Sequence, residues 1–533
     1  MRQRPWPRRP LLVSQLIIAG LFLAVSSTAD ALVLHPRHRE RVAPDADQWR
    51  VVEHTVEVSG PRTAMIVCDM WDRHWCAGAT ARVAELAPRM NEVLHAARRQ
   101  GMLIIHAPSD TMKFYADFPQ RLRAREAPPA PAPADVRQWK PINPDREPPL
   151  PIDDSDGGCD DDPPCPQGNP WQRQIATLEI LPEDVISDRG DEIHNVLTAR
   201  GVDTVIVLGV HANMCVLGRP FAIRSLVALG KRVFLMRDLT DTTYNSRRRP
   251  YVRHFVGTDL VVEHIEKYWC PSITSADFLG GEPFRFAQDR RRRVVLLIGE
   301  NEYRTWETLP DFAHRELVWR GFPCEVVAAS TATDDFRFTN AAAVTRADLL
   351  VVSTRRRALP SELMAALRAH LAGGKSLLGI RTASHAFAVR GDTLDRLKDD
   401  PAVAQWPEFD PDVLGANYRG HHGAGPLTKI RVAPGAEGDP ILASVNLKGF
   451  TSHSSLYRCG PLRPTARCLL LGAIDGQPEE PIAWTHRYGP REARIFYTSL
   501  GGPDDFANPA FRRLLLNAVL WCLNERIPPA DAP

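Results

Sequence analysis

The stretch Asp203 to Arg224, DTVIVLGVHANMCVLGRPFAIR, limits this chain to few folds. Thr204 to Leu208 is an apolar, β-branched run of the kind found in strands buried on both faces of a parallel sheet. Gly209 ends the run, and Val216, Leu217, Phe221, Ile223 and Leu226 then follow at helical spacing. A cysteine, Cys215, stands at the strand-to-helix turn. Backbone amides and the positive end of a helix favour a thiolate there. A buried cysteine without chemistry is the competing reading.

The flanking segments repeat the same rhythm. Arg62 to Cys68 reads as a buried strand that ends at Asp69, Val83 to Arg99 as a helix, and Met102 to His106 as a second strand. Asp184 to Ser187 is the next strand, Glu192 to Arg200 a helix, and Lys231 to Met236 and Asp259 to His264 further strands. This order predicts an α/β domain with right-handed crossovers. Residues 127–171, rich in Pro and Asp, interrupt it as a long insertion over one face. Its DDSDGG segment lacks the full ligand series of a calcium loop and reads as a solvated acidic loop.

At 533 residues the chain needs more than one core. A charged hinge, Asp289 to Arg293, places a boundary near residue 288, after which the α/β pattern restarts. Val294 to Ile298, Asp348 to Ser353, Ser376 to Ile380 and Arg494 to Ser499 read as strands. Ser361 to Leu371 and Pro509 to Asn524 read as helices. The fold class is α/β, with two open, mostly parallel three-layer α/β/α domains. The expected segments are 1–31 as signal peptide, 32–58 as polar spacer, 59–288 as the first domain and 289–533 as the second.

The signal reading rests on Arg2, Arg4, Arg8 and Arg9 ahead of an apolar run from Leu11 to about Val25, with Ala29-Asp30-Ala31 as cleavage site. Arg8-Arg9 also resembles a twin-arginine signal. A secreted or periplasmic protein with no stable membrane span after cleavage is expected; an uncleaved anchor is the alternative. Ten cysteines would then meet an oxidising compartment, with Cys159 and Cys165 the expected disulfide. The 66 basic and 64 acidic residues nearly cancel, which leaves no bulk electrostatic case for nucleic acid.

Ligands bind at the carboxyl ends of strands in open parallel sheets. Asp69, His106, Asp110 and Cys215 all fall at such ends. A carboxylate beside a cysteine can take its proton and free a thiolate to attack a carbonyl, with turn amides near Ala212 and Cys215 holding the oxyanion. A cation nearby is needed to keep both groups charged. His74, Trp75 and His211 are candidates to line the substrate mouth, with loop packing as the alternative.

AMIVCDM around Asp69 and VDTVIVLGVHANMCV around Cys215 together resemble the isochorismatase-like cysteine hydrolases, over about residues 60–275. The resemblance implies Asp69 as general base, Cys215 as nucleophile, and a cis peptide at Val210-His211 that shapes an oxyanion turn with Ala212. The family's catalytic lysine is missing: its strand end is Ser187-Asp188 here. Lys113 and Arg189 are the candidate substitutes. The Asp-x-His of a nicotinamidase zinc site is also missing, since Asp110-Thr111-Met112 stands in its place. No metal and no cofactor are expected.

ADLLVVS, LPSELMAALRAHLAGGKSLLGIRTASHAF and REARIFYTSLGGPDDFANPAFRRLLLNAVLWCL resemble the ThuA-like (trehalose-utilisation) family, over about residues 292–527. That family has the class I glutamine-amidotransferase-like, flavodoxin-type fold. Arg381 occupies the amidotransferase nucleophile position, which argues against that chemistry. Arg381, His385, His421, His422 and His453 are candidate pocket residues for a carbohydrate-like ligand or a metal; solvated or structural histidines are the alternative. The functional expectation is a hydrolase of small-molecule amides fused to a carbohydrate-related domain, open to homo-oligomer formation. A non-catalytic ligand-binding or scaffold protein is the alternative.

Overall fold

The computed structural model describes residues 32–43, 48–330, 336–397 and 399–529. The expected signal segment and its cleavage site lie outside them. Among the described residues, no helix is long and apolar enough to cross a membrane.

The described residues form two large sheets that share no strand. In the first, Val185–Ile186, Leu103–Ala107, Thr63–Cys68, Thr204–Val210, Arg232–Asp241 and Ser272–Ile273 lie side by side in that order, each parallel to the next. Alternation along Thr63–Cys68 fills both faces. Ala64, Ile66 and Cys68 pack with the helices Gly190–Ala199, Ile223–Ala228 and His254–Tyr268; Met65 and Val67 pack with the helix Ala77–Arg99. A strand buried on both faces reads as a continuous apolar run, and this one does.

Three expectations need correction. Residues 32–58 are not merely a spacer. Arg37–Arg41 and Trp49–Glu53 form an antiparallel pair that extends the sheet beyond Ser272–Ile273. The buried Glu266 anchors the inner strand, accepting from Arg37 Nε at 2.7 Å and Arg39 Nε at 3.2 Å. Asp259 to His264 is not a strand but part of the helix His254–Tyr268. Its Val261-Val262 pair looks β-like in isolation. Val261, Val262 and Ile265 share one buried helical face, and Glu263 pairs with Lys267 one turn on at 2.6 Å. The expected Cys159–Cys165 disulfide is absent, because both are free thiols.

The 127–171 insertion has little regular structure but is firmly tied down. Its Glu147 is 2% exposed and accepts from Arg224 at 2.8 and 3.0 Å, His264 at 2.7 Å and Trp269 at 2.8 Å. The acidic loop is equally engaged rather than simply solvated. Asp154 accepts from Asn213 at 2.7 Å and Asp156 from Asn245 at 2.8 Å.

The second sheet begins with five parallel strands in the order Cys324–Ala328, Val294–Gly299, Leu349–Thr354, Ser376–Ile380 and Ala493–Thr498. It continues antiparallel through Glu480–Tyr488, Arg467–Ala473, Thr428–Val432 and Thr451–Ser452. Helices Thr305–Phe312 and Pro509–Cys522 cover one face, and Ser361–Ala372 covers the other. Both domains are three-layer α/β/α structures; the second is parallel only in its first half.

Candidate active site

Two neighbouring strands bring the acid and the sulfur together. Thr63–Cys68 and Thr204–Val210 run parallel with Cys68 opposite Gly209, so Asp69 and the turn after Val210 open at one end of the sheet. A Cβ on Gly209 would lie 2.1 Å from the Cys68 carbonyl oxygen, and its φ is 110°, so the position demands glycine. Asp69 is itself left-handed, with φ 48°. Such backbone is costly for a non-glycine residue and concentrates at functional sites. The Val210–His211 peptide is cis, and Cys215 is the first residue of the short helix Cys215–Gly218.

The Asp69 carboxylate is wholly buried and fully engaged. Ser109 donates its amide to Oδ1 at 2.7 Å, Arg219 donates Nε to Oδ2 at 3.1 Å, and the Cys215 thiol lies close enough for the Asp69 charge to act on it. Burial raises the Asp69 carboxyl above its ordinary range, opposed by Arg219, Cys215 and Ser109. Burial, and then the Asp69 charge, push the Cys215 thiol well up, while Arg219 draws it down. Burial thus favours the uncharged form of both groups, and the Arg219 charge opposes it at both.

Neither candidate cation is paired with Asp69. Arg189 is 46% exposed and turns to Asp191 at 3.0 Å and Glu192 at 3.4 Å; Lys113 is exposed. Arg219 occupies the role by position, bridging Asp69 and, at 3.4 Å, Asp110. It stands four residues after Cys215, and Pro220 stops the chain from continuing the helix there. Ser187 and Asp188, at the lysine position, point their hydrogen bonds elsewhere. Ser187 donates to Glu192 at 2.5 Å, and Asp188 accepts from the Asp110 amide at 3.0 Å.

The turn differs from expectation in one amide. Ala212 N–H is already committed to the Asp241 carbonyl at 2.7 Å, so it is no oxyanion donor. Cys215 N–H, at the first helical position, has no acceptor within its own helix. His211 is buried, with Nε2 lacking a hydrogen-bond partner. Its ring meets that of His74 edge-on at 5.0 Å, and His74 stacks on Trp171 at 5.8 Å. Burial, aided by the Arg82 charge, lowers His74 to about 4, so it is neutral near pH 7. Trp75 packs instead against Cys76 and Cys159. Asp110 lies at the mouth, 62% exposed. Trp139 of the insertion sits over Gly218 and 5.9 Å from the Arg219 guanidinium, roofing the site.

In the second domain, His385 and His421 line a cleft of about 470 Å³ together with Tyr303, Tyr418, Tyr457 and Arg356. Glu302, Arg355, Arg390, Arg419 and Arg458 complete its charged rim. Arg381 lies beneath it, 1% exposed, donating to Ser499 O at 2.6 Å and stacked 4.1 Å from Tyr303 and 4.4 Å from Tyr457. Burial and the neighbouring arginines lower His385 to about 2, so it faces the cleft uncharged. His422 and His453 are not among the lining residues. The tyrosines and arginines were missed from sequence because they come from five separate loops.

The family described as ThuA, trehalose utilisation, matches residues 320–522. No curated protein matches the chain. Among solved structures, a ThuA-like protein from Parabacteroides merdae is 16% identical, covering 45% of this chain and 96% of its own, with TM-score 0.31. A cysteine hydrolase from Pseudomonas syringae pv. phaseolicola is 20% identical, covering 41% and 92%, with TM-score 0.26. An N-carbamoylsarcosine amidase from Thermoplasma acidophilum is 13% identical, covering 34% and 83%, with TM-score 0.20. The cysteine hydrolases correspond to the N-terminal region.

Proposed function

We propose that the N-terminal domain hydrolyses a C–N amide bond of a small molecule through Cys215. The observation that carries this is the buried Asp69 carboxylate beside Cys215, held by Arg219 Nε at 3.1 Å, with the Asp69 and Arg219 charges both acting on the thiol. Asp69 takes the thiol proton as sulfur attacks the carbonyl carbon, so no free thiolate need accumulate. Arg219 balances the negative charge shared between sulfur and carboxylate during transfer. The Cys215 amide holds the oxyanion. Protonated Asp69 then gives its proton to the departing nitrogen as the C–N bond breaks, leaving a thioester. Water, deprotonated by Asp69, releases the acid and restores the thiol.

The test is amine release by the full chain from a panel of primary amides and N-carbamoyl compounds. Release that disappears in Cys215→Ala supports the reading. A reading without turnover draws on the raised Cys215 thiol. It requires instead that panel members bind, and stay intact, equally in wild type and Cys215→Ala.

The second domain, on this proposal, binds an anionic carbohydrate-like ligand in its cleft. Tyr418 offers a half-buried ring against which a sugar could pack, and Arg356, Arg390 and Arg419 offer donors for a carboxylate or phosphate.

A further inference from the structure

Three thiols meet one carboxylate oxygen at the start of the helix Ala77–Arg99, apart from the Cys215 site. Sγ of Cys165, Cys76 and Cys159 lie 3.2, 3.3 and 3.5 Å from Oδ2 of Asp161. The ligand atoms of Cys76, Cys159 and Asp161 are all within 4.8 Å of one another, while Cys165 Sγ reaches Asp161 from just outside that group. The Gly78 amide donates to that same oxygen at 3.0 Å. A carboxylate oxygen offers about two lone pairs, so it cannot accept from four donors at once. Hydrogen bonding does not account for the convergence.

Coordination does. Zinc–sulfur bonds of about 2.3 Å and zinc–oxygen bonds of about 2.0 Å, at tetrahedral angles, set sulfur and oxygen about 3.5 Å apart. The three measured separations, 3.2, 3.3 and 3.5 Å, are close to that edge. The surroundings suit an anionic metal–thiolate centre. Ala77 N–H points to Cys165 Sγ at 3.5 Å, Ala79 N–H to Cys76 Sγ at 3.4 Å, and Gly78 N–H to Asp161. The first turn of a 23-residue helix thus directs its unpaired donors at three of the four groups. Arg247 adds a donor to the Asp161 carbonyl at 2.6 Å. Cys76 and Cys159 are buried while Cys165 is partly exposed, which leaves a way in for an ion.

We propose that Cys76, Cys159, Cys165 and Asp161 bind a thiophilic divalent cation, zinc by ligand set and geometry, as a structural centre. Cys76, Cys159 and Asp161 are already gathered, and Cys165 closes the fourth position by a small inward shift, which leaves the site without an open position for substrate. On binding, three S–H bonds break, three metal–sulfur bonds form, and three protons pass to solvent; Asp161 binds as carboxylate. The centre would fasten the 127–171 insertion to the helix and fix His74 and Trp75, since His74 Nδ1 accepts the Cys76 amide at 3.2 Å.

The test is a cobalt titration of the reduced, metal-stripped full chain. Expected are tetrahedral d–d bands with thiolate charge transfer, saturating near about one cobalt per chain and abolished by zinc. About three protons should be released per metal, read with a dye in weak buffer. Cys159→Ser and Asp161→Asn should lose the tetrahedral spectrum, Asp161→Cys should keep it, and Cys215→Ser should not alter it. The Asp161→Cys arm, with circular dichroism of every variant, separates lost ligation from lost folding. A titration without tetrahedral bands, or bands unchanged in Asp161→Asn and Cys159→Ser, overturns the proposal. So does a Cys159–Cys165 disulfide in peptide maps of protein purified without reductant.

Discussion

At the scale of residues, the account rests on how Asp69, Cys215 and Arg219 share charge. Arg219→Ala should leave Asp69 buried without its counter-charge and lower kcat/KM for amide hydrolysis by about 100-fold, with Arg219→Lys recovering part of it. Asp69→Asn removes the proton acceptor and should cost about 1,000-fold in kcat. Asp69 must be ionised to act, and burial raises its carboxyl. Activity should therefore fall as pH drops through a value above the ordinary carboxylate of about 3.9, a limb visible in a kcat/KM–pH profile. Asp69 and Cys215 were legible in the sequence because each follows an apolar run in a β-sheet rhythm, and parallel strands open at one end. Arg219 was not. Its partner Asp69 lies 150 residues away, and nothing in VLGRPF distinguishes a buried ion-pair arginine from a surface one. Lys113 and Arg189 drew attention through their nearness to the missing lysine position, yet Arg189 has acidic neighbours of its own.

At the scale of elements, the insertion is the least sequence-like part of the first domain and the most tightly tied. Its composition predicts a loop over one face, and the backbone is irregular. Single charged residues hold it, Glu147 on Arg224 and His264 and Asp154 on Asn213, together with a few apolar anchors, Leu150, Ile152 and Trp171, against the core. Breaking a buried pair by removing one partner is expensive, so Arg224→Ala should lower stability by about 3 kcal/mol in urea unfolding. Burial opposes the Glu147 charge, but hydrogen bonds from His264, Arg224 and Trp269 prevail and hold its carboxyl down to about 2. Its contribution is thus present above the unfolded value of about 4.3 and is lost as pH falls from there towards the folded one. The urea midpoint should decline over that acid range in wild type, and less steeply in Glu147→Gln. The same reasoning explains the misread Asp259 to His264 stretch. A short β-branched stretch such as Val261-Val262 is ambiguous until its buried face is known, and here that face is continued by Ile265 outside the run.

At the scale of the molecule, two sheets without a common strand carry two unlike sites, one acidic and closed, one basic and open. The alternation of strands and helices made both domains legible. The antiparallel half of the second sheet was not, because Thr428–Val432 alternates polar and apolar residues instead of forming an apolar run, and the apolar run within Arg467–Ala473 does not reveal its strand direction. If the sites work separately, Arg356→Ala with Arg419→Ala should weaken binding of a sugar acid about tenfold or more, measured by calorimetry, and leave amide turnover within about twofold. The hydrolytic claim is tested most directly by intact-protein mass spectrometry during incubation with the amide panel. A mass increment equal to the acyl group, mapped to Cys215 and missing in Cys215→Ala, is the predicted result. A folded wild-type chain that gains no increment and releases no amine from any panel member would contradict it.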